Sequence, residues 1–216
     1  MHAALFDLDG VLVDTETLYT RIWDDIVRIY PTGIDNFAYK IKGNTLEKIL
    51  STYFPDPDTS RDIVRILRER EDAMEYELFD GVAEFLAELN ECGIPAAIVT
   101  SSGDAKMQRL FASLTGFREC FAAVITDSDV THSKPHPEGY LLAATRLGAD
   151  PHDCIVFEDS YAGIEAGKAA GAKVVGLATT NPRETLIDKA DHVIDSFAGV
   201  SAKSLFEDLF NPFIKP

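Results

Sequence analysis

The sequence predicts an α/β protein: a doubly wound, Rossmann-like parallel sheet with an all-helical cap domain inserted after the first strand. From about residue 94 onward, short apolar runs alternate with segments of helical periodicity, which is typical of a parallel sheet covered on both faces. Between the first strand and that region, the apolar residues follow only the helical period. We therefore expect a core domain of residues 1–15 and 80–216 and a cap domain of residues 16–79.

The first predicted strand ends in two carboxylates. Residues 3–6 are an apolar run typical of a buried strand, and Asp7, Asp9 and Gly10 follow it directly. In a regular strand the side chains of Asp7 and Asp9 point the same way. Two buried carboxylates are unfavourable unless a metal ion or a reaction uses them. The alternatives are a solvated turn or a calcium loop, although a calcium loop needs more oxygen ligands and a glycine at its sixth position.

The inserted block predicts three helices. The first has apolar residues at every fourth position: Leu18, Ile22, Ile26 and Tyr30. It ends at residues 31–33, which read Pro-Thr-Gly. A second helix begins at a capping box formed by Asn44 and Glu47. After a proline-containing breaker at residues 55–58, a charged helix is expected over about 60–77.

The remainder of the chain predicts the alternating core. We expect hinges between the two domains at residues 14–15 and 79–81, followed by a helix over 82–92 that ends at Gly93. The predicted strands are residues 95–100, 122–126, 154–157, 173–177 and 192–194. The predicted helices are residues 104–114, the segment after Pro137 through Leu147, residues 162–170 and residues 202–210.

Polar side chains follow the predicted strands at four points of the chain: Asp7 with Asp9, Thr100 with Ser101 and Ser102, Lys134, and Glu158 with Asp159. Each has a structural alternative when taken alone, because the Thr-Ser-Ser and Glu-Asp runs can cap helices and the lysine can be exposed. The carboxyl ends of parallel strands meet at one edge of the sheet, where doubly wound folds bind ligands. We therefore expect all four groups to converge on one site.

These groups suit phosphoryl transfer through an aspartyl phosphate. One carboxylate attacks phosphorus and forms a covalent intermediate. A second protonates the leaving oxygen and then activates water. Mg²⁺ prefers oxygen ligands and offsets the repulsion between carboxylate and phosphate, while a hydroxyl and a lysine hold the phosphoryl oxygens.

Four segments carry a resemblance to a known family. They are residues 6–16 (FDLDGVLVDTE), 99–102 (VTSS), 133–135 (SKP) and 157–164 (FEDSYAGI). In this order they resemble the motifs of the haloacid dehalogenase-like phosphohydrolases. The branch that they resemble has a helical cap after the first strand and includes β-phosphoglucomutase and phosphoglycolate phosphatase. The first and fourth motifs are the specific ones.

The resemblance implies a magnesium site and two catalytic aspartates. It makes Asp7 the nucleophile and a Mg²⁺ ligand. It makes Asp9 the general acid and base, with its backbone carbonyl on the metal. Asp159 becomes a metal ligand, and Glu158 a ligand either directly or through water.

The resemblance also implies a phosphate-binding set. The hydroxyl of Thr100, or that of Ser101, hydrogen-bonds the phosphoryl oxygens, and the backbone N–H groups of Ser101 and Ser102 assist. Lys134 stabilises the negative charge on the phosphate and on Asp7. The function implied is a Mg²⁺-dependent phosphatase for a small phosphorylated metabolite, such as a sugar phosphate.

The cap is the place where mutases and phosphatases of this branch diverge. A resemblance to the mutases of this branch implies a histidine and a cap-loop arginine. The matching positions of this sequence hold Tyr19 and Leu46 instead. Those departures favour a phosphatase over a phosphosugar mutase, which is the alternative. Lys42, Asn44 and Arg70 are candidate contacts to the distal end of the substrate, and the alternative for all three is a solvated cap surface.

Composition limits the partners. A net charge of −16 disfavours nucleic acid and anionic membrane surfaces as partners, but a local Mg²⁺ and lysine can still hold a phosphorylated substrate. The three cysteines lie far apart without metal-ligand spacing, and the chain opens without a leader pattern. We therefore expect a cytoplasmic protein, a monomer or weak homodimer.

Two other classes of protein compete with the enzyme. A phospho-acceptor signalling module also combines an acidic pair, an acceptor aspartate, a hydroxyl and a lysine on a parallel sheet. Its acceptor, however, lies on a later strand than the acidic pair, and it lacks a helical insertion. A binding protein without activity is the other alternative, and the complete set of reactive groups disfavours it.

Overall fold

The computed structural model describes residues 1–41 and 46–210, apart from the side chains of Glu16 and Asp72. Within these residues six strands form one sheet in the order β3-β2-β1-β4-β5-β6, and every neighbouring pair is parallel. The strands are β1 (Ala3–Phe6), β2 (Ala96–Val99), β3 (Ala123–Ile125), β4 (Cys154–Glu158), β5 (Lys173–Leu177) and β6 (His192–Ile194). The predicted α/β class and doubly wound parallel sheet are confirmed.

β1 and β4 form the centre of the sheet. Leu5 pairs with Ala97 of β2 on one side and with Val156 of β4 on the other. The strand order reverses between β1 and β4, which makes their carboxyl ends the switch point at which doubly wound folds bind ligands. Both strands are buried along their whole length, so the positions of the residues that follow them are well fixed.

Aromatic packing stabilises this pair of strands. Phe6 of β1 stacks on Phe157 of β4 with ring centroids 4.6 Å apart. Phe85 and Phe197 pack against the same ring of Phe157, at 5.4 and 5.6 Å. Side chains alternate between the two faces of a strand, so the neighbouring Leu5 faces the opposite side and belongs to a second buried cluster. The sheet is therefore covered by packed side chains on both faces.

The chain divides into two compact units, residues 1–14 with 76–216, and residues 15–75. The second unit contains the helices α1 (Thr15–Ile29), α2 (Phe37–Lys40), α3 (Leu46–Tyr53) and α4 (Pro57–Asp72). Its own core includes Ile22, Trp23, Ile26, Phe37 and Ile63. That this unit acts as a cap stays a prediction.

The helices of the first unit flank the sheet. They are α5 (Val82–Glu91), α6 (Asp104–Ser113), α7 (Glu138–Leu147), α8 (Tyr161–Ala169), α9 (Arg183–Leu186) and α10 (Ala202–Phe210), with 3₁₀ turns at Arg118–Cys120, Asp127–Asp129 and Pro151–Asp153. None of the described helices combines the length and the apolar character that crossing a membrane would require.

The charged helix α4 begins and ends earlier than predicted. It starts at Pro57, within the segment that was expected to break the chain. Asp56 is its N-cap, and its side chain accepts a hydrogen bond from the backbone N–H of Thr59 at 2.9 Å. Proline is favourable at the first helical position because its missing N–H would have no partner there. The segment is therefore a helix start, and the helix ends at Asp72 with Ala73 as its C-cap.

Two short helices were not predicted. α2 and α9 each have four residues, which is about one turn and too short to show a helical period. Asn36 precedes α2 in the left-handed conformation, with φ of 54°. The predicted cap at Asn44 lies outside the described residues.

The chain leaves and re-enters the first unit along two adjacent segments. Val13 and Leu78 form an antiparallel bridge. The N–H of Asp14 donates to the carbonyl of Glu77 at 3.2 Å, and the N–H of Phe79 donates to the carbonyl of Leu12 at 3.1 Å. Asp14 and Phe79, two of the predicted hinge residues, lie in this paired segment, and hinge mobility stays a prediction.

Candidate active site

Asp7 is the first residue after β1 and is buried. Its backbone N–H donates to the carbonyl of Phe157 at 3.0 Å, which extends the β1–β4 ladder by one residue and fixes where the side chain starts. Its Oδ1 lies 2.5 Å from Nζ of Lys134. The aspartate at the end of the first strand is thus held in a buried ion pair.

Lys134 follows β3 and reaches across the carboxyl ends of the neighbouring strands. Its ammonium donates to Oδ1 of Asp7 at 2.5 Å, to Oε1 of Glu158 at 2.7 Å and to the carbonyl of Val99 at 3.0 Å. These contacts use all three of its N–H donors. Burial lowers the pKa of this ammonium, but the adjacent Asp7 and Glu158 carboxylates outweigh it, so the pKa lies well above the usual value. Lys134 is therefore a fixed positive charge between two carboxylates.

Glu158 ends β4 and is fully buried. Its Oε1 accepts from Lys134 and also from the hydroxyl of Tyr140 at 2.9 Å. Its Oε2 accepts from the backbone N–H and the hydroxyl of Ser160, at 3.1 and 2.9 Å. The carboxylate lies against α8 where only glycine fits, since a Cβ on Gly163 would stand 1.7 Å from Oε1. Both carboxylate oxygens are consequently positioned by their surroundings.

Asp159 is buried beside the turn that follows β1. Its backbone carbonyl accepts a hydrogen bond from the side-chain amide of Asn181 at 2.8 Å. A Cβ on Gly10 would lie 2.1 Å from Oδ2 of Asp159, so the close approach of the turn to this carboxylate requires a glycine. Burial, reinforced by the charge of Glu158, raises the pKa of Asp159 to about 7.

Asp7, Glu158 and Asp159 form a cluster that could hold a cation. One carboxylate oxygen from each lies within 4.8 Å of the others. Burial is the main cause that raises the pKa of Asp7 well above its usual value, and the other carboxylates add to the effect of burial while Lys134 opposes it. A set made only of carboxylate oxygens fits a hard divalent cation such as Mg²⁺. A cation here would also relieve the repulsion that these three groups impose on one another.

Asp9 has a different environment from Asp7. Its Oδ2 accepts from the hydroxyl of Ser102 at 2.8 Å, and its Oδ1 lies 2.6 Å from Nζ of Lys106. Its carboxylate is not part of the cation-binding cluster, and the predicted role of its backbone carbonyl as a metal ligand stays a prediction. The two aspartates therefore differ in their lysine partners: Asp7 pairs with Lys134, and Asp9 pairs with Lys106.

The segment after β2 presents the predicted hydroxyl groups. Thr100 is buried, and its Oγ1 accepts from the backbone N–H of Ser102 at 3.0 Å. The Thr100 hydroxyl proton is not used by this bond and can be donated. The Ser102 N–H, predicted to assist with phosphate, is directed to Thr100 here, while the Ser102 side chain holds Asp9. Ser101 is exposed at the same strand end.

Several residues of the site were missed by the sequence reasoning. Lys106 and Tyr140 reach it from helices and carried no signal in the sequence. Thr179 and Asn181 follow β5, and the Thr179 hydroxyl donates to the carbonyl of Gly10. This polar run comes directly after an apolar strand, as the predicted site residues do. The same pattern could therefore have identified it from the sequence.

The three predicted cap contacts stay predictions. Arg70 belongs to the helical unit, where its guanidinium lies 3.4 Å from Oδ2 of Asp25. Lys42 and Asn44 lie outside the described residues. Tyr19, at the position of the mutase histidine, donates to Oε1 of Glu71 within the helical unit at 3.0 Å.

A buried aspartate paired with lysine beside a carboxylate cluster, at the switch point of a Rossmann-like sheet, is typical of enzymes that transfer phosphoryl groups with a divalent metal. Comparison with known proteins identifies the family. A sequence model of the haloacid dehalogenase-like hydrolases matches residues 4–177. The chain belongs to this family, and the predicted resemblance is confirmed.

The most similar curated proteins include two phosphatases. The chain is 30% identical over 207 residues to the bifunctional riboflavin kinase/FMN phosphatase of Arabidopsis thaliana, a match that covers 91% of this chain and 53% of that protein. The chain thus spans about half the length of that bifunctional relative. It is 32% identical over 178 residues to the fructose-1-phosphate phosphatase YqaB of Escherichia coli, which covers 80% of this chain and 94% of YqaB.

Solved structures share the whole fold. A HAD hydrolase of family IA, variant 3, from Entamoeba histolytica is 28% identical, with a TM-score of 0.78 over 96% of this chain and 98% of the other. The β-phosphoglucomutase of Clostridium difficile is 22% identical, with a TM-score of 0.74 over 100% of both chains. At that identity, the likeness to the mutase shows the fold alone.

Proposed function

We propose that this protein is a Mg²⁺-dependent phosphatase that hydrolyses a small phosphorylated metabolite through an aspartyl-phosphate intermediate. The observation that carries the proposal is the position of Lys134, which lies 2.5 Å from Oδ1 of Asp7 and 2.7 Å from Oε1 of Glu158. Lys134 thus links the candidate nucleophile to a second carboxylate of the cation-binding cluster. The predicted enzyme class, a phosphoric monoester hydrolase, is confirmed by the family and its phosphatase relatives.

The carboxylate cluster supports Mg²⁺ as the metal. Asp7 and Asp159 would hold it with carboxylate oxygens, Glu158 directly or through water, and Asp9 with its backbone carbonyl. When bound, Mg²⁺ offsets the negative charge that the phosphate brings to these carboxylates. The hard, all-oxygen donor set favours it over softer metals.

The residues divide the reaction into two steps. A carboxylate oxygen of Asp7 attacks phosphorus, a bond forms between them, and the ester P–O bond breaks as Asp9 protonates the leaving oxygen. Water then attacks the phosphorus while Asp9 takes its proton, the bond to Asp7 breaks, and inorganic phosphate leaves. Thr100 donates its hydroxyl to a phosphoryl oxygen, and the Lys134 charge stabilises the developing negative charge.

The relatives of this chain support one substrate class. Similar proteins are named as phosphatases of fructose 1-phosphate and of hexitol phosphates, which supports a sugar phosphate or a similar phosphomonoester. The helical unit, as a cap, would select among substrates and exclude water, with Lys42, Asn44 and Arg70 as candidate contacts. We further propose a cytoplasmic monomer or weak homodimer that binds neither nucleic acid nor membranes.

The proposed function is tested with Asp7→Asn. The substitution keeps the shape of the side chain but removes the nucleophilic carboxylate, so hydrolysis of a panel of phosphorylated metabolites with Mg²⁺ should be abolished while the circular dichroism spectrum is retained. Asp195→Asn is a matched control, because Asp195 forms an exposed pair with Arg183. Hydrolysis at the wild-type rate by Asp7→Asn would overturn the assignment.

A phosphosugar mutase is the second candidate, because the motifs of the chain resemble those of the branch that includes β-phosphoglucomutase. Tyr19 and Leu46 at the positions of the mutase histidine and arginine argue against it. The two activities differ in their products. Activation by a sugar bisphosphate, with conversion of one sugar phosphate isomer into another and little release of phosphate, would favour the mutase.

A further inference from the structure

The loop that carries Lys134 and the first residue of α7 together hold a second group of potential metal ligands. His132, His136 and Glu138 each offer one ligand atom, and these atoms lie within 4.8 Å of one another. Nδ1 of His132 lies 2.9 Å from Oε2 of Glu138, and Nδ1 of His136 lies 3.8 Å from the same oxygen. The two imidazole rings are 4.5 Å apart. Ligands of one tetrahedral ion are separated by distances of this order.

The carboxylate of this group is already fixed and ionised. Oε1 of Glu138 accepts from the backbone N–H of Thr131 at 2.8 Å, and Oε2 accepts from the backbone N–H of His132 at 2.9 Å. These hydrogen bonds, with that of the His132 ring, lower the pKa of Glu138 to about 2. The carboxylate therefore needs no deprotonation before it binds a cation, but the cation has to compete with these hydrogen bonds.

The imidazoles are open to solvent. The side chains of His132 and His136 are 62% and 51% exposed, and that of Glu138 is 29% exposed. An ion can reach the group without opening the fold, and water can complete its coordination. The backbone N–H of Glu138 donates to Nδ1 of His136 at 3.3 Å, and an ion bound through this nitrogen would replace that hydrogen bond.

We propose that His132, His136 and Glu138 form a second metal site, selective for a borderline transition metal such as Zn²⁺. Two imidazole nitrogens and one carboxylate oxygen suit Zn²⁺, Ni²⁺ or Cu²⁺, whereas Mg²⁺ prefers oxygen ligands alone. The cluster of Asp7, Glu158 and Asp159 offers the opposite donor set. The two sites therefore differ in the metal that each prefers.

The site is placed to affect catalysis, an effect that rests on the proposed function. His132 and His136 flank Lys134 in the chain, and all three line a cavity of about 200 Å³ together with Thr100 and Ser101. An ion on Glu138 competes for the carboxylate oxygens that now hold the backbone of Thr131 and His132. The loop would then shift with Lys134 on it, so Zn²⁺ inhibits the phosphatase even when Mg²⁺ is saturating.

Binding is tested by calorimetric titration of the 216-residue chain with ZnCl₂ in excess MgCl₂. The wild type should bind one Zn²⁺ with low-micromolar affinity, and His132→Gln/His136→Gln should lose this binding. His152→Gln is the matched control, since His152 is also exposed and lies 3.0 Å from a carboxylate oxygen, that of Asp150. Asp159→Asn should keep the binding, which excludes Zn²⁺ in the carboxylate cluster. Absence of binding, or equal binding by the double variant, would overturn the site.

Inhibition is tested in a separate experiment. For each variant, we measure the Zn²⁺ concentration that reduces the phosphatase rate to half of that variant's own zinc-free rate. The double variant should need at least tenfold more Zn²⁺ than the wild type or His152→Gln. Equal inhibition of all three would overturn the effect on catalysis. Calorimetry does not require turnover, so the site can be judged even if the phosphatase assignment fails.

Discussion

Nζ of Lys134 lies 2.5 Å from Oδ1 of Asp7, and both side chains are 13% exposed. The same Lys134 ammonium lies 2.7 Å from Oε1 of Glu158. Burial disfavours the ionised form of both carboxylates, and the positive charge of Lys134 offsets the repulsion between them. Phosphate adds further negative charge at this point. The pair therefore has two effects: the Lys134 charge opposes the rise that burial causes in the pKa of Asp7, and it compensates negative charge as the reaction proceeds.

Lys134→Met tests this pair. The substitution keeps most of the length and volume of the side chain but removes its charge. We expect kcat to fall about 10²–10³-fold, the loss typical of removing a group that stabilises transition-state charge. Steady-state kinetics with a phosphomonoester at saturating Mg²⁺ measures the loss. Lys168→Met, which breaks a lysine–carboxylate pair with Asp191 elsewhere in the first unit, should leave kcat near the wild-type value; an equal effect of the two substitutions would contradict the prediction.

Lys106→Met tests the partner of the proposed acid and base. Nζ of Lys106 lies 2.6 Å from Oδ1 of Asp9, and removing a nearby cation raises the pKa of a carboxylate. Because Asp9 acts as an acid in the first step and as a base in the second, the limb of the pH–rate profile that Asp9 controls should move to higher pH. The loss in kcat should stay below the 10²–10⁴-fold typical of a general acid–base group. Lys106→Arg should restore the profile, and a profile that stays unchanged in Lys106→Met would exclude this role.

The residues at the strand ends could be predicted because their signal is local. Asp7, Thr100 and Glu158 each follow or end an apolar run, and parallel strands bring such positions to one edge. Lys134 was found through its motif and its place after β3. Its three hydrogen bonds could not be predicted, because they depend on how far the loop reaches across the sheet.

The residues that were missed depend on tertiary packing. Tyr140 lies on α7 and reaches Glu158 only because that helix packs against the sheet. Lys106 lies in the first turn of α6, where a lysine ordinarily indicates a solvated helix surface. The four-residue helices α2 and α9 have no period to detect. A single sequence contains little information about any of these features.

Asp159→Asn tests the cost of keeping the carboxylate cluster ready for a cation. The pKa of Asp159 is about 7, against 3.8 for an ordinary aspartate. The folded state therefore binds the Asp159 proton more tightly than the unfolded state. The resulting destabilisation is absent below pH 4, grows between pH 4 and 7, and is complete above pH 7. In EDTA, Asn at this position should therefore raise the melting temperature by several degrees at pH 8 and by less at pH 5.5.

Thermal unfolding with added metal completes this test. MgCl₂ should raise the melting temperature of the wild type, because a ligand that binds only the folded state stabilises it. The Asp159→Asn variant should respond little, since it has lost a proposed metal ligand. An equal response of the two proteins to MgCl₂ would show that Asp159 is not a metal ligand. A pH-independent difference between them in EDTA would show that burial does not raise the pKa of Asp159.

Asn181→Ala tests whether the segment after β5 positions the metal ligands. The Asn181 amide donates to the backbone carbonyl of Asp159 at 2.8 Å, so its loss should loosen Asp159 without removing a ligand. We expect the Mg²⁺ concentration for half-maximal activity to rise about 10–100-fold, as when outer partners of metal ligands are removed, with a smaller change in kcat at saturating Mg²⁺. Thr185→Val removes a hydroxyl that donates only to the nearby carbonyl of Pro182 and should leave the Mg²⁺ requirement unchanged. If Asn181→Ala instead lowers kcat alone, Asn181 acts on the reaction rather than on the metal site.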